Sequence, residues 1–332
     1  MLFQTLDDKN NCVGIYSNGK LYKEIPNDIT RTWSYAVYLD RQNIKYANLY
    51  AGTNDIEAVC PDHLKDWWLE KTSKLKAFLR SFKEAKVDLN ENCFFDLVPE
   101  RFLLEYCEVK NKITEHVLDN HPTPKNYDFL LSLAKIIEEI KHQKLNIDVS
   151  AMRNGLTSYK ARQWRNKILK SLPYVKYNIF GTKTGRLSTK KNSFPILTLP
   201  KEYRDALKPT NDWFVEFDFN AAELRTLLAL SGKEQPKEDL HEWNLENVYR
   251  GIGTREKAKQ RIFAWLYNPE SKDYLSSRAY GRDKVLEKYW DGTHVKTCFH
   301  REIKADRYHA LNYIIQSTTS DLFLDRAIEI FN

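Results

Sequence analysis

The chain has 332 residues, of which 42% are apolar and 29% are charged, so it is long enough for two or three domains and does not have the composition of a disordered protein. Its first residues, MLFQTLDDKNNCVG, lack a secretory signal, and no apolar run is long enough to span a membrane, which predicts a cytoplasmic protein. The five scattered cysteines lack CxxC spacing, which favours a reducing compartment and argues against a zinc site.

The first 60 residues contain short β-like runs that predict a small sheet, namely CVGIYS, KLYKEI, YAVYL and YANLYAG. Residues 61–87 have helical spacing. After a break at VDLNEN, two further helical stretches, PERFLLEYCEVKNKITEHVL and NYDFLLSLAKIIEEIKHQ, flank the breaker HPTPK. We expect these two long helices to pack as an antiparallel pair.

Positive charge is concentrated in residues 151–208, which contain fourteen Lys or Arg residues and two acids, a net charge of +12 within a chain of net charge +7. Aromatic residues such as Trp164 and Tyr177 are interleaved with these cations. This composition is typical of a surface that binds a phosphate backbone, although a solvated basic face is the alternative.

Residues 213–219 alternate in polarity and predict a strand that ends at Phe219. A helix should begin at Asn220, with Asn220 as N-cap and Glu223 as its capping-box partner. Asp218 lies at the end of the strand, where a carboxylate is commonly presented to a metal ion.

The stretch TREKAKQRIFAWLYN places Arg255, Lys259, Phe263 and Tyr267 at steps of four. On an α-helix each step overshoots a full turn by about 40°, so the four side chains share one face. Two cations followed by two aromatics suit a ligand with a polyphosphate at one end and a flat base at the other. An amphipathic surface helix with a basic stripe is the alternative.

Several stretches together resemble the family A DNA polymerases, the group that includes bacterial DNA polymerase I. The matching stretches, in order, are YNIFGTKTGRLS, DFNAAELRTLLALSG (motif A), DLHEWNLENVY, REKAKQRIFAWLY (motif B) and RYHALNYIIQSTTSDLF. They cover residues 177–323. The resemblance implies a DNA-directed DNA polymerase, a nucleotidyltransferase that uses two Mg²⁺ ions.

For the incoming deoxynucleoside triphosphate, the resemblance implies that Arg255, Lys259 and His241 contact the phosphates. Phe263 would lie against the sugar and base. Tyr267 would hold back the template base until the fingers close.

In motif A, the resemblance implies that Asp218 holds both metal ions and that the Phe219 carbonyl binds one of them. Glu223 would exclude the 2′-hydroxyl of a ribonucleotide. Glu223 also disfavours a single-subunit phage RNA polymerase, the rival within the enzyme class.

For primer-template DNA, the resemblance implies minor-groove contacts at the primer end from Arg186, Asn312 and Gln316. Lys190 and Lys191 of the basic segment would contact the DNA backbone.

The implied fold is α+β, a right-hand polymerase with thumb, palm and fingers beside a small N-terminal α/β domain. We expect the N-terminal domain at 1–90, a helical thumb at 91–172, palm at 173–235, fingers at 236–294 and palm again at 295–332. Residues 1–150 lack the Asp-x-Glu signature of a proofreading exonuclease, so such a domain would be vestigial or replaced.

The family's motif C, a His-Asp-Glu turn that carries the second metal-binding aspartate, is absent from the sequence. We therefore expect an incomplete palm sheet and a second polypeptide that carries motif C, as in a polymerase encoded by a divided phage gene and acting in the bacterial cytoplasm. The alternatives are a binding module without catalysis and a truncated form of an ordinary polymerase.

Overall fold

The computed structural model describes residues 1–39, 43–150, 152 and 158–332. About 51% of the chain is helical and the sheets are small, so the fold class is α+β as predicted. The chain forms two compact units. Unit 1 comprises Met1–Phe180 and Thr189–Ala206, and unit 2 comprises Gly181–Ser188 and Leu207–Asn332.

The strands of the described residues are short. They are β1 (Gln4–Thr5), β2 (Ile15–Ser17), β3 (Lys20–Tyr22), β4 (Arg31–Thr32), β5 (Lys45–Tyr46), β6 (Asn146–Ile147), β7 (Tyr177–Asn178), β8 (Ser188–Thr189), β9 (Leu207–Lys208), β10 (His294–Lys296) and β11 (Glu302–Lys304).

The helices predicted within residues 61–143, near Asn220 and in TREKAKQRIFAWLYN are formed, and further helices accompany them. They are α1 (Ala47–Ala51), α2 (Asp62–Glu84), α3 (Glu100–Asn120), α4 (Tyr127–His142), α5 (Tyr159–Lys170), α6 (Ala222–Leu230), α7 (Leu240–Trp243), α8 (Arg255–Tyr267), α9 (Tyr274–Ala279), α10 (Arg282–Tyr289) and α11 (Arg307–Phe331). A π-helical turn, Asn244–Val248, follows α7. No helix among the described residues is long and apolar enough to cross a lipid bilayer.

In unit 1, β1, β2 and β3 form an antiparallel sheet in that order, which confirms the strands predicted in CVGIYS and KLYKEI. The strand predicted in YAVYL is wrong, because this stretch is a turn in which the Leu39 amide donates to the Ala36 carbonyl. Of YANLYAG, only Tyr46 is in a strand, β5, and the next five residues form α1. Gly52, the C-cap of α1, has the left-handed conformation, which glycine adopts without steric cost.

The expected pairing of α3 with α4 is also wrong, because α3 packs chiefly against α2. Aromatic rings account for this choice: Trp68 of α2 stacks on Tyr106 of α3 at 5.5 Å, and Phe78 of α2 meets Phe102 of α3 edge-on at 5.0 Å. α4 instead packs against α1.

Cys12 and Cys93 of unit 1 form a disulfide, with their Cα atoms 5.4 Å apart. The scattered cysteine spacing had favoured a reducing compartment. A separation of 81 residues hides such a pairing from sequence inspection, because only folding brings the two side chains together.

Unit 2 is built on one apolar core shared by α6, α8, α10, α11 and the β10–β11 hairpin. Trp265 and Ile262 of α8 and Ile314 of α11 are fully buried at its centre. The core therefore fixes which face of α8 is turned inward, and with it the face that carries the residues spaced four apart.

Candidate functional site

The candidate site in unit 2 is centred on Glu223, the second residue of α6. Its carboxylate accepts a hydrogen bond from Arg186 Nη2 at 2.5 Å and another from the Tyr267 hydroxyl. The Gln316 side chain lies near the Tyr267 hydroxyl. Burial, and next the Glu223 carboxylate, raise the pKa of Tyr267 above its ordinary value, so this phenol is a proton donor near neutral pH.

A row of rings continues from Tyr267 along α8. Phe263 stacks on Tyr267 with centroids 5.9 Å apart and planes 10° apart, and His241 lies 5.8 Å from Phe263. The His241 side chain is buried, and burial lowers its pKa, which favours the neutral imidazole. Its Nδ1 has no hydrogen-bond partner among the described residues.

The local sequence explains why α8 presents this row. The Thr254 hydroxyl caps the helix by accepting from the Lys257 amide at 3.3 Å. Ala258, Ile262, Trp265 and Leu266 are buried and anchor the helix in the core of unit 2. The predicted helix is confirmed, and its residues Phe263 and Tyr267 contact each other as a spacing of four implies.

The two cations of that face differ in their surroundings. Arg255 is held by Asp239, with Nη2 at 2.8 Å and Nε at 3.1 Å from its carboxylate oxygens. Lys259 is exposed and has no ion-pair partner among the described residues. Of the two, Lys259 is the charge free to meet a ligand.

Sequence reasoning missed Asp239. Its carboxylate caps α7 by accepting from the backbone amides of His241 and Glu242, both at 3.0 Å, and it also binds Arg255 and Asn220. The Arg255 guanidinium holds the pKa of Asp239 well below its usual range. An acid placed just before the stretch LHEW is a recognisable N-cap signal, so α7's start could have been found from sequence.

The predicted capping box at Asn220 and Glu223 is wrong. α6 begins at Ala222, and Ala221, which precedes it, has the left-handed conformation with φ 50°. The Asn220 side chain instead donates to Asp239 at 3.0 Å, and Glu223 binds Arg186 and Tyr267. Partners distant in sequence have taken the polar groups that would otherwise cap the helix.

The strand predicted for residues 213–219 is also not formed. The segment has no strand assignment, and its side chains are exposed, with Trp213 at 83% and Phe217 at 69%. An isolated strand has no partner for its backbone groups and no surface on which to bury its apolar residues. Its last ring, Phe219, meets Phe323 of α11 edge-on at 6.5 Å.

Asp218 lies in this exposed segment and has no ion-pair or hydrogen-bond partner among the described residues. The described part of unit 2 contains no group of three carboxylate, His or Cys ligands close enough to share a metal ion. Asp218 and the Phe219 carbonyl therefore do not by themselves make a site for two Mg²⁺ ions.

A second acid of unit 2, Asp321, forms a buried ion pair and so does not supply the missing metal ligand. It is fully buried in α11 and binds Arg301 through both carboxylate oxygens at 2.7–2.9 Å. The Arg301 guanidinium packs against Gly185, where an added Cβ would lie 2.6 Å from Nη2. This triad positions the turn that precedes Arg186.

The remaining predicted residues are not all brought to Glu223. Asn312 is half-buried in α11, and its Oδ1 has no hydrogen-bond partner among the described residues. Lys190 and Lys191 belong to unit 1 and are not part of the cluster.

Five of the fourteen cations of the predicted basic segment lie on one helix of unit 1, α5. α5 carries cations and no acids, with Lys167 lying 4.2 Å above the Trp164 ring. An open surface depression beside it is lined by Gln163, Trp164, Asn166, Lys167 and Lys170. Arg153, also counted in that segment, lies outside the described residues.

No protein-family model matches the chain, and no curated protein does so.

Proposed function

We propose that the chain carries the nucleotide-binding part of a template-directed DNA polymerase of the family A type, with a right-hand arrangement of thumb, palm and fingers. One observation carries the proposal: three side chains from separate segments of the sequence, Arg186, Glu223 and Tyr267, meet in one hydrogen-bonded cluster of unit 2. The resemblance implies a role at the polymerase site for all three.

In this proposal the exposed face of α8 receives the deoxynucleoside triphosphate. The free ammonium of Lys259 meets the phosphates, and Arg255 joins it when it exchanges Asp239 for the ligand. The stacked rings of Phe263 and Tyr267 offer a flat apolar surface for a base. Glu223, held from two sides, is rigid enough to exclude a 2′-hydroxyl.

The chemistry requires more than these 332 residues provide. Two Mg²⁺ ions would supply Lewis acidity and neutralise phosphate charge, but Asp218 stands without a second carboxylate. We propose that the missing ligand comes from a further polypeptide segment outside these residues, bearing a His-Asp-Glu turn and completing a palm sheet. Residues 213–219 are suited to receive such a strand, because this exposed segment pairs with no described strand and Trp213, Phe214 and Phe217 are largely exposed.

The isolation of Asp218 also supports a second candidate, a module that binds primer-template DNA or nucleotide without catalysis. The polymerase and the binding module should bind nucleotide and DNA alike, but only the polymerase should extend a primer.

Nucleotide binding tests the property that both candidate functions share. Lys259→Ala should weaken binding of a deoxynucleoside triphosphate by about tenfold or more, because a charge-assisted contact is worth about 1.5–3 kcal/mol. Lys257→Ala is the matched control, since Lys257 is exposed on the same helix but on another face. Titration calorimetry measures both, and fluorescence anisotropy should show unchanged primer-template affinity. Equal effects of the two variants would contradict the assignment.

Primer extension separates the two candidates. The chain alone with Mg²⁺ should extend a primer negligibly, and a polypeptide carrying the His-Asp-Glu turn should restore extension only when Asp218 is intact. Robust extension by the chain alone, abolished by Asp218→Ala, would contradict the need for a further segment. Failure of every complementing segment to restore extension would favour the binding module.

A further inference from the structure

Unit 1 contains two adjoining polar cavities that the proposed function does not use. The larger has a volume of about 330 Å³ and the smaller about 180 Å³, and Asp8, Ser34 and Lys141 line both. They are bordered by residues of β1, α3, α4 and the segment around Tyr177.

The larger cavity has an excess of positive charge. Lys110 and Lys176 line it, and neither has an ion-pair partner among the described residues. Burial lowers the pKa of both ammonium groups, and the nearby Asp8 carboxylate only partly offsets this effect. Two unpaired, partly buried lysines in one cavity favour an anionic ligand.

A carboxylate cluster beside them does not reverse this charge. Asp8, Glu138 and His142 lie close enough to hold a metal ion. However, the Lys141 ammonium binds Asp8 and also Glu138, at 2.7 Å from the latter, so it offsets one of their two negative charges. Lys110 and Lys176 outweigh the other. Lys9 does the same for Asp7 at 2.7 Å.

The smaller cavity adds ring surfaces to polar groups. Trp33, Tyr35 and Ile137 line it together with the charged Glu138 and Lys190, and Asn48, only 6% exposed, lines it as well. The Asn48 Oδ1 is buried without a hydrogen-bond partner among the described residues.

The orientation of that amide is set by its neighbours. Asn48 Nδ2 donates to Asn54 Oδ1 at 3.0 Å, and Asn54 Nδ2 donates to Asn178 Oδ1 at 3.1 Å. Flipping Asn48 would break this chain of amides. The unsatisfied atom is therefore an acceptor, which calls for an N–H or O–H donor from a ligand.

We propose that the two cavities together bind a nucleoside monophosphate group, free or at the phosphorylated end of a nucleic-acid strand. The phosphate lies between Lys110 and Lys176. The base lies in the smaller cavity beside Trp33 and Tyr35 and donates an N–H to Asn48 Oδ1. The site is independent of the Glu223 cluster, because all of its residues belong to unit 1.

Titration calorimetry on the full chain tests the ligand chemistry. Deoxyadenosine 5′-monophosphate should bind at least tenfold more tightly than inorganic phosphate or deoxyadenosine. The purine analogue without the exocyclic amine should bind about fivefold more weakly than the parent nucleotide. A 5′-phosphorylated oligonucleotide that binds better than the free nucleotide would identify a strand end as the source, and the reverse would identify free nucleotide. Equal affinity for nucleoside and nucleotide would overturn the proposal.

Variants locate the site. Lys110→Gln and Lys176→Gln should each weaken nucleotide monophosphate binding by about tenfold or more. Lys112→Gln, on an outer part of the same helix α3, and Lys259→Ala, in unit 2, should leave it unchanged. Affinity unchanged by both cavity variants, with circular dichroism showing them folded, would overturn the proposal. If either variant fails to fold, the comparison of ligands decides without it.

Discussion

The hydrogen bond between Glu223 and Tyr267 is the part of the proposed site that is easiest to test, because its strength can be measured without any ligand. Glu223→Met keeps the length of the side chain and removes the acceptor, and Tyr267→Phe removes the donor. With the double variant they form a thermodynamic cycle that isolates the coupling between the two side chains.

Burial sets the expected magnitudes. The Glu223 side chain is 18% exposed and that of Arg186 is 51% exposed. A partly buried hydrogen bond to a carboxylate is worth about 1.5–3 kcal/mol, whereas a half-exposed ion pair is worth about 0.2–1 kcal/mol after solvent screening. The Glu223–Tyr267 coupling should therefore exceed the Glu223–Arg186 coupling, measured with Arg186→Met.

Urea denaturation gives the free energies of unfolding, and hydrogen exchange in peptides from α6 and α8 assigns the change to unit 2. A Glu223–Tyr267 coupling below about 0.5 kcal/mol, or one smaller than the Arg186 coupling, would refute the reasoning. As the functional counterpart, Glu223→Ala should narrow the preference for deoxynucleotide over ribonucleotide binding. An unchanged preference would remove the proposed sugar gate.

The affinity for primer-template DNA should fall steeply with salt, because each neutralised phosphate adds about 0.9 to the slope of log affinity against log salt concentration. Lys170→Gln should reduce that slope. A flat salt response in fluorescence anisotropy would show that the basic helix α5 is a solvated face. Gly185→Ala should cost more stability than Gly232→Ala, since both glycines have positive φ but only Gly185 meets the Arg301 guanidinium, and equal losses in urea denaturation would contradict that contact. Burial raises the pKa of Tyr127 from 10.0 to about 12, so its contribution to stability should be intact below pH 10 and be lost as the pH rises through 12. Tyr127→Phe should flatten this alkaline loss, and unfolding free energies that stay constant over that range in the unmodified chain would contradict it.

Local periodicity was enough to predict several elements. The stretches around α2, α3, α4 and α8 were predicted as helices because their apolar residues recur at helical spacing. The step of four between Arg255 and Tyr267 likewise places those side chains on one face wherever the helix packs. The resemblance picked out Arg186, Glu223 and Gln316 although each lies in a different segment.

Contacts between distant segments were beyond such reasoning. From the sequence, Glu223 could either complete a capping box or bind Arg186. Only the folded positions of Arg186 and Tyr267 decide between these two roles. The disulfide between Cys12 and Cys93 depends in the same way on folding.

The segment 213–219 shows most clearly what the sequence determines and what only the tertiary structure decides. Its alternating sequence has strand propensity, and that much is a property of the residues. A strand also needs a neighbour to accept its backbone hydrogen bonds, and no described strand of this chain lies beside it. The sequence by itself determined which residues could form helices and which polar side chains belong to motifs. The tertiary structure decided which partners those side chains have, because burial and hydrogen bonding depend on which segments meet.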